Sequence, residues 1–118
     1  MRYGGKGMDC REIEKKIIQT YGIQSQSLVA CEELGELIQA ISKTVRGGYG
    51  TDNLVEEMAD SEIMMEQLAI FYGIDRKRID EVKRYKLERQ IKRIEDVKEA
   101  NTNGDSNRRW KTACVLGV

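Results

Sequence analysis

Apolar residues recur at intervals of three and four along most of the chain, glycines interrupt the pattern, and no proline is present to break a helix. The pattern predicts an all-α fold of four helices. The first runs from about Asp9 to Thr20, with Ile13, Ile17 and Ile18 on its apolar face and Tyr21-Gly22 as its stop. The second starts at Ser25 or Ser27, either of them a suitable N-cap, and ends at Arg46 before Gly47 and Gly48. Its stripe is Leu34, Leu37, Ile38, Ile41 and Val45. The third begins at Thr51 or Asp52 and runs to Tyr72 with Gly73 as its C-cap, and Leu54, Met58, Met65, Leu68, Ala69 and Tyr72 share one face. Asp75 caps the fourth, which extends to Ala100 and carries Ile79, Val82, Leu87, Ile91, Ile94 and Val97. The expected organisation is a flexible N-terminus over residues 1–8, a helical domain over 9–100, and a polar linker with a C-terminal tail over 101–118. In that tail NTNGDSNRR is polar and turn-rich, whereas WKTACVLGV is apolar enough to dock.

Composition narrows the chemistry. At 118 residues the chain is expected to build one compact core. Its 20 basic and 20 acidic side chains cancel, which removes the general positive field that non-specific nucleic-acid binding relies on. No stable nucleic-acid partner is expected. There is no histidine, so Ser-His-Asp and Cys-His catalysis and imidazole metal ligation are excluded. The three cysteines, Cys10, Cys31 and Cys114, are odd in number and contain no CxxC pair, which fits neither a disulfide framework nor a zinc knuckle. They are expected to be buried or incidental. No apolar run is long enough to span a bilayer and MRYGGKG does not resemble a signal peptide, so a cytoplasmic protein without membrane attachment is expected.

The stretch CEELGELIQA, residues 31–40, sets Glu32, Glu33 and Glu36 around Gly35 inside a helix. A glycine there costs about 1 kcal/mol relative to alanine, and the expectation is that it admits a close helix approach beside the acids. At about 100° per residue, Glu33 and Glu36 lie about 60° apart on one shoulder of the apolar stripe. Glu57 and Asp60 stand in the same relation to the stripe of the third helix. Antiparallel packing across the GGYG linker brings the two shoulders face to face. Four converging carboxylates repel one another, and a hard divalent cation with oxygen ligands resolves that conflict. Mg²⁺ is the expected ion, with Mn²⁺ as the alternative. The competing reading is a solvated acidic face paired with basic neighbours such as Lys43.

Glu33-x-x-Glu36 followed after twenty residues by Glu57-x-x-Asp60, within EELGELIQAISKTVR and EEMADSEIMMEQL, resembles the MazG-like all-alpha nucleoside triphosphate pyrophosphohydrolases, which are related to the all-alpha dUTPases. The likeness is to the short phage and bacterial type. It spans about Tyr21 to Arg93 and includes Gln26, Lys43 and Arg46. The resemblance implies a four-helix, MazG-like bundle assembling as a homodimer or homotetramer. It also implies Mg²⁺-dependent cleavage of an NTP or dNTP between the α and β phosphates, giving a nucleoside monophosphate and pyrophosphate. Glu33, Glu36, Glu57 and Asp60 would be the metal ligands and catalytic residues. Such a site offsets phosphate charge and activates a water for in-line attack.

Lys83, Lys86, Arg89 and Arg93 recur along the fourth helix as candidate phosphate contacts. The resemblance selects Lys83 and Arg89, and with Lys43 and Gln26 they complete the expected substrate-binding set. Glu62 falls within the apolar stripe of the third helix, where a buried carboxylate without a partner would be costly. Ser61 replaces the usual apolar residue after the aspartate. Glu32 and Glu56 are expected behind or outside the ligand set. The rival class is a non-catalytic helical interaction or regulatory module that retains the fold. The width of the apolar stripes also favours an oligomer, because a lone chain would leave apolar surface uncovered.

Overall fold

The computed structural model describes residues 2–3 and 7–103. A short antiparallel pair opens the chain, β1 (Arg2–Tyr3) against β2 (Met8–Asp9), in the register Arg2 to Asp9 and Tyr3 to Met8. Four helices follow, α1 (Cys10–Tyr21), α2 (Ile23–Arg46), α3 (Asp52–Phe71) and α4 (Arg76–Thr102), so the described chain is essentially all-α. None of these helices is long and apolar enough to cross a membrane.

Local chemistry sets most boundaries where the sequence placed them. Asp9 and Glu12 form a capping box: Asp9 Oδ1 accepts from the Glu12 N–H at 2.8 Å, and the Glu12 carboxylate accepts from the Asp9 N–H at 3.3 Å. Gly22, at φ 85°, ends α1, and its N–H donates to the Ile18 carbonyl at 2.8 Å. That left-handed φ suits a residue without a Cβ. The same glycine starts α2, because its carbonyl already accepts from the Gln26 N–H at 3.1 Å. The second helix therefore begins at Ile23 with no side-chain cap, rather than at Ser25 or Ser27 as expected. Gly47 and Gly48, at φ 79° and 81°, turn the chain out of α2. Asp75 caps α4 by accepting from the Lys77 N–H at 3.0 Å.

The chain divides into two compact units, Met1–Ile74 and a second from Asp75 onward. The core of the first is the packing of α2 on α3, with α1 lying against both. Ser27 Oγ and Tyr72 OH share a hydrogen bond at 3.4 Å, which joins the start of α2 to the end of α3. The two helices therefore run antiparallel across the Gly47–Thr51 turn.

The face they bury coincides only in part with the apolar stripe read from the sequence, sharing Leu34, Leu37, Leu54, Leu68 and Ala69 with it. On α2 the covered or half-covered positions include Gln26, Ala30, Glu33, Leu34, Leu37, Ala40 and Thr44, and on α3 they include Leu54, Glu57, Ser61, Met64, Gln67, Leu68 and Phe71. Most of them recur at intervals of three and four, one face of each helix. On the two helices the centre of this face is rotated by about 60–80° from that of the expected stripe, at about 100° per residue. Small residues lie on this face: Ala30 and Ala40 are each 2% exposed and Ser61 1%. The rest of the expected stripe stays open, with Ile38 68% and Val45 81% exposed and Ile41, Met58, Met65 and Tyr72 also uncovered, and Val55 beside it is 62% exposed. Glu62 lies on that open face and is exposed, so the expected cost of burying it does not arise.

The second unit is described by itself. Over its 27 residues α4 carries an ion pair between Arg76 and Asp80 at 3.1 Å and places the Arg89 guanidinium 5.8 Å from the centre of the Tyr85 ring. Both are exposed contacts of a fraction of a kcal/mol to about 1 kcal/mol. The apolar tail segment expected to dock lies outside the described residues.

Candidate metal centre

Glu33 is central to the α2 contact face and Glu57 to that of α3, so the antiparallel hairpin delivers both carboxylates into one seam. Glu36 stands one turn beyond Glu33. One oxygen from each of Glu33, Glu36 and Glu57 falls in a group whose members all lie within 4.8 Å of one another. Glu33 and Glu57 are half-buried, and Glu36 is exposed. One oxygen of Glu33 and one of Glu57, in each case Oε2, is fully covered and has no hydrogen-bond partner.

The electrostatics follow from that geometry. Burial raises the pKa of Glu33 above its ordinary value, and the charges of Glu36, Asp60 and Glu57 raise it further. Glu57 is raised in the same way, by loss of solvent first and then by Glu36, Asp60 and Glu56. Like charges held together in a partly dry seam favour the neutral acid. Asp60, the fourth expected ligand, is exposed and stands outside the close group of three, yet its charge acts on both Glu33 and Glu57. Glu32 and Glu56 are also exposed and outside the group.

An all-oxygen donor set of carboxylates, with two covered oxygens lacking partners, suits a hard divalent cation. A cation here would supply the charge that the seam lacks. Zinc or copper would be expected to select sulfur or imidazole ligands, and this set offers neither.

Gly35 has open space where its Cβ would be, with nothing within 4 Å. The expectation that it admits a close helix approach is therefore corrected. The other expected site residues are spread out. Gln26 is buried at 7% exposure in the seam, two turns before Glu33 and so about 10 Å away along the axis. Lys43 is exposed two turns beyond Glu36. Lys83 and Arg89 are exposed on α4 in the second unit. Of the cysteines, Cys31 is exposed and Cys10 half-buried; Cys114 lies outside the described residues.

Three polar residues that sequence reasoning did not weigh as buried are among the most deeply covered. Ser61 and Gln67 are each 1% exposed and Glu14 4%, and Ser61 Oγ, Gln67 Oε1 and Glu14 Oε2 lack hydrogen-bond partners. A signal for Glu14 was present: on a helical wheel it falls between Ile17 and Ile18. A signal for Ser61 was present too, between Leu54 and Leu68. Gln67 lies far from the apolar stripe of its helix and carried none.

No family model matches the chain, and neither a curated protein nor a solved structure matches it.

Proposed function

We propose that the protein is a Mg²⁺-dependent nucleoside triphosphate pyrophosphohydrolase, acting on NTPs or dNTPs in nucleotide pool control or housecleaning. The observation that carries this reading is the meeting of Glu33, Glu36 and Glu57 across two helices, with covered, unpartnered oxygens on Glu33 and Glu57. The resemblance of the two acidic motifs to the MazG-like pyrophosphohydrolases supplies the reaction class. Glu33 and Glu57 would hold the ion from within the seam and Glu36 from its open side, with Asp60 beside them. A bound Mg²⁺ would supply positive charge against the triphosphate oxygens. Glu36 and Asp60 keep contact with solvent, so they are the carboxylates available to orient a water and accept its proton. Lys43 and Gln26 share a helix with Glu33 and Glu36 and are the proposed substrate contacts of the first unit.

The uncovered stripe of Ile38, Val45 and Val55 supports assembly as a homodimer or homotetramer, because patches of this kind on soluble proteins mark interaction surfaces. The same stripe favours the second reading, a non-catalytic interaction module that keeps the fold.

Pyrophosphate release from a panel of NTPs and dNTPs with Mg²⁺ or Mn²⁺ tests the proposal. Pyrophosphate plus monophosphate from the wild type, lost in Glu57→Gln, is the expected result. No turnover across the panel by folded protein overturns it in favour of the interaction module.

A further inference from the structure

We propose that Ser61 is a positioning residue of the acidic centre, its buried hydroxyl donating to the Glu57 carboxylate and fixing that carboxylate for a divalent cation. The inference rests on the reading of Glu33, Glu36 and Glu57 as a cation site, and it adds to that site a residue that carries no charge.

Helix geometry brings the two side chains together. Ser61 follows Glu57 by four residues within α3, so they stand on one face with about 5–6 Å between their Cβ atoms. Ser61 is 1% exposed, and its Oγ is covered and has no hydrogen-bond partner. The Glu57 Oε2, one turn earlier, is in the same condition. A hydroxyl carries one donor hydrogen, whereas an ionised carboxylate only accepts. A donor and an acceptor, each unpaired, therefore share the covered face of α3.

Other partners for the hydroxyl are lacking among the described residues. A hydroxyl inside a helix can donate back to the carbonyl four residues earlier. Thr20, Thr44 and Thr102 do so, at 2.8, 2.9 and 2.7 Å. Ser61 makes no such bond, which leaves its hydrogen for the seam. The facing helix meets α3 at Glu33 with Glu57 and at Ser27 with Tyr72. Between Ser27 and Glu33 the covered positions of α2 are Val29 and Ala30, and neither side chain can hydrogen-bond. On α3 the other residues one turn from Ser61 are Met58, Met64 and Met65, whose thioethers are weak acceptors.

A cation gives the pair its use. A carboxylate that ligates a metal is itself held by hydrogen bonds from outside the ligand set, and these fix its orientation. Ionised Glu57 is also the stronger acceptor, because a hydrogen bond to a charged group is shorter and stronger than one between neutral groups. In the metal-free fold the same hydroxyl is a buried polar group without a bond, which costs stability. Ser61 therefore opposes the metal-free fold and favours the cation-bound centre.

Mn²⁺ binding to the full chain, read from the electron paramagnetic resonance signal of the unbound ion, tests the proposal alongside thermal unfolding of the metal-free protein. The variant is Ser61→Ala, which removes the hydroxyl, adds no volume and suits a helix. The expected result is a Kd for Mn²⁺ weakened by about ten- to a hundredfold, with a metal-free Tm equal to or above that of the wild type. Unchanged affinity overturns the positioning role and leaves the centre standing, since a serine that only fills space would move the Tm alone. Weakened affinity with a lowered metal-free Tm also overturns it, because the hydroxyl would then hold the fold rather than the ligand. A wild type that binds no Mn²⁺ overturns the cation site itself, and the inference with it.

Discussion

Glu33 and Glu57 reach the α2–α3 seam from opposite helices, and each leaves its Oε2 covered and without a hydrogen-bond partner. The two acids stand where a helix pair would otherwise place leucine or alanine. In the absence of a cation this arrangement opposes the packing that creates it.

Removing one of these charges should therefore stabilise the metal-free protein while abolishing its metal response. The raised pKa values of Glu33 and Glu57 mean that the folded seam holds protons more tightly than the unfolded chain, so stability falls as pH rises from the ordinary carboxylate range through the raised values. Thermal unfolding should show a Tm that declines as pH rises above the ordinary carboxylate range, and added Mg²⁺ should restore it where the ligands are ionised. Glu57→Gln should flatten the decline attributable to the seam and remove the Mg²⁺ increment. An equal Mg²⁺ increment in wild type and Glu57→Gln would count against the centre.

Gly35→Ala should raise stability by about 1 kcal/mol, the propensity difference between the two residues inside a helix. The space for a methyl group is open, so no packing term opposes the gain. Chemical denaturation measures it directly, and a loss of stability would show that Gly35 touches a neighbour in the assembled protein.

Gln67→Met should also stabilise the fold, by about 1 kcal/mol. Gln67 is 1% exposed and its Oε1 has no partner, so the wild-type side chain bears a desolvation cost of about 1–3 kcal/mol. Methionine keeps the length of the side chain and removes the polar group. A denaturation midpoint shifted downward would reveal a hydrogen bond from a buried water or ligand.

Val45→Lys should leave the stability of an isolated chain within about 0.5 kcal/mol, as for other exposed substitutions, because Val45 is 81% exposed. If the open stripe is the contact between copies, sedimentation should show an oligomeric wild type and a smaller species for Val45→Lys. A strictly monomeric wild type would leave the proposed assembly without support.

What the sequence determined by itself was local. Apolar spacing and the absence of proline specified four helices, and the glycines and the capping residues Asp9 and Asp75 set most of their ends, because these effects act within one or two turns. The two ExxE-type motifs could be placed on facing helices by the same short-range geometry. Which face of each helix is buried depended on the partner, and only the tertiary structure decided it. Hydrophobicity pointed to Ile38, Ile41, Met58 and Met65, yet the covered face is centred about 60–80° away, where Ala30, Ala40 and Ser61 are buried. That rotation moved Glu33 and Glu57 from the shoulder of the stripe into the seam and left Asp60 outside the closest group. Tertiary packing also buried Glu14, 4% exposed on a helix that lies against α2 and α3. Burial of polar groups is a property of two surfaces together, and one helix read alone carries only half of it.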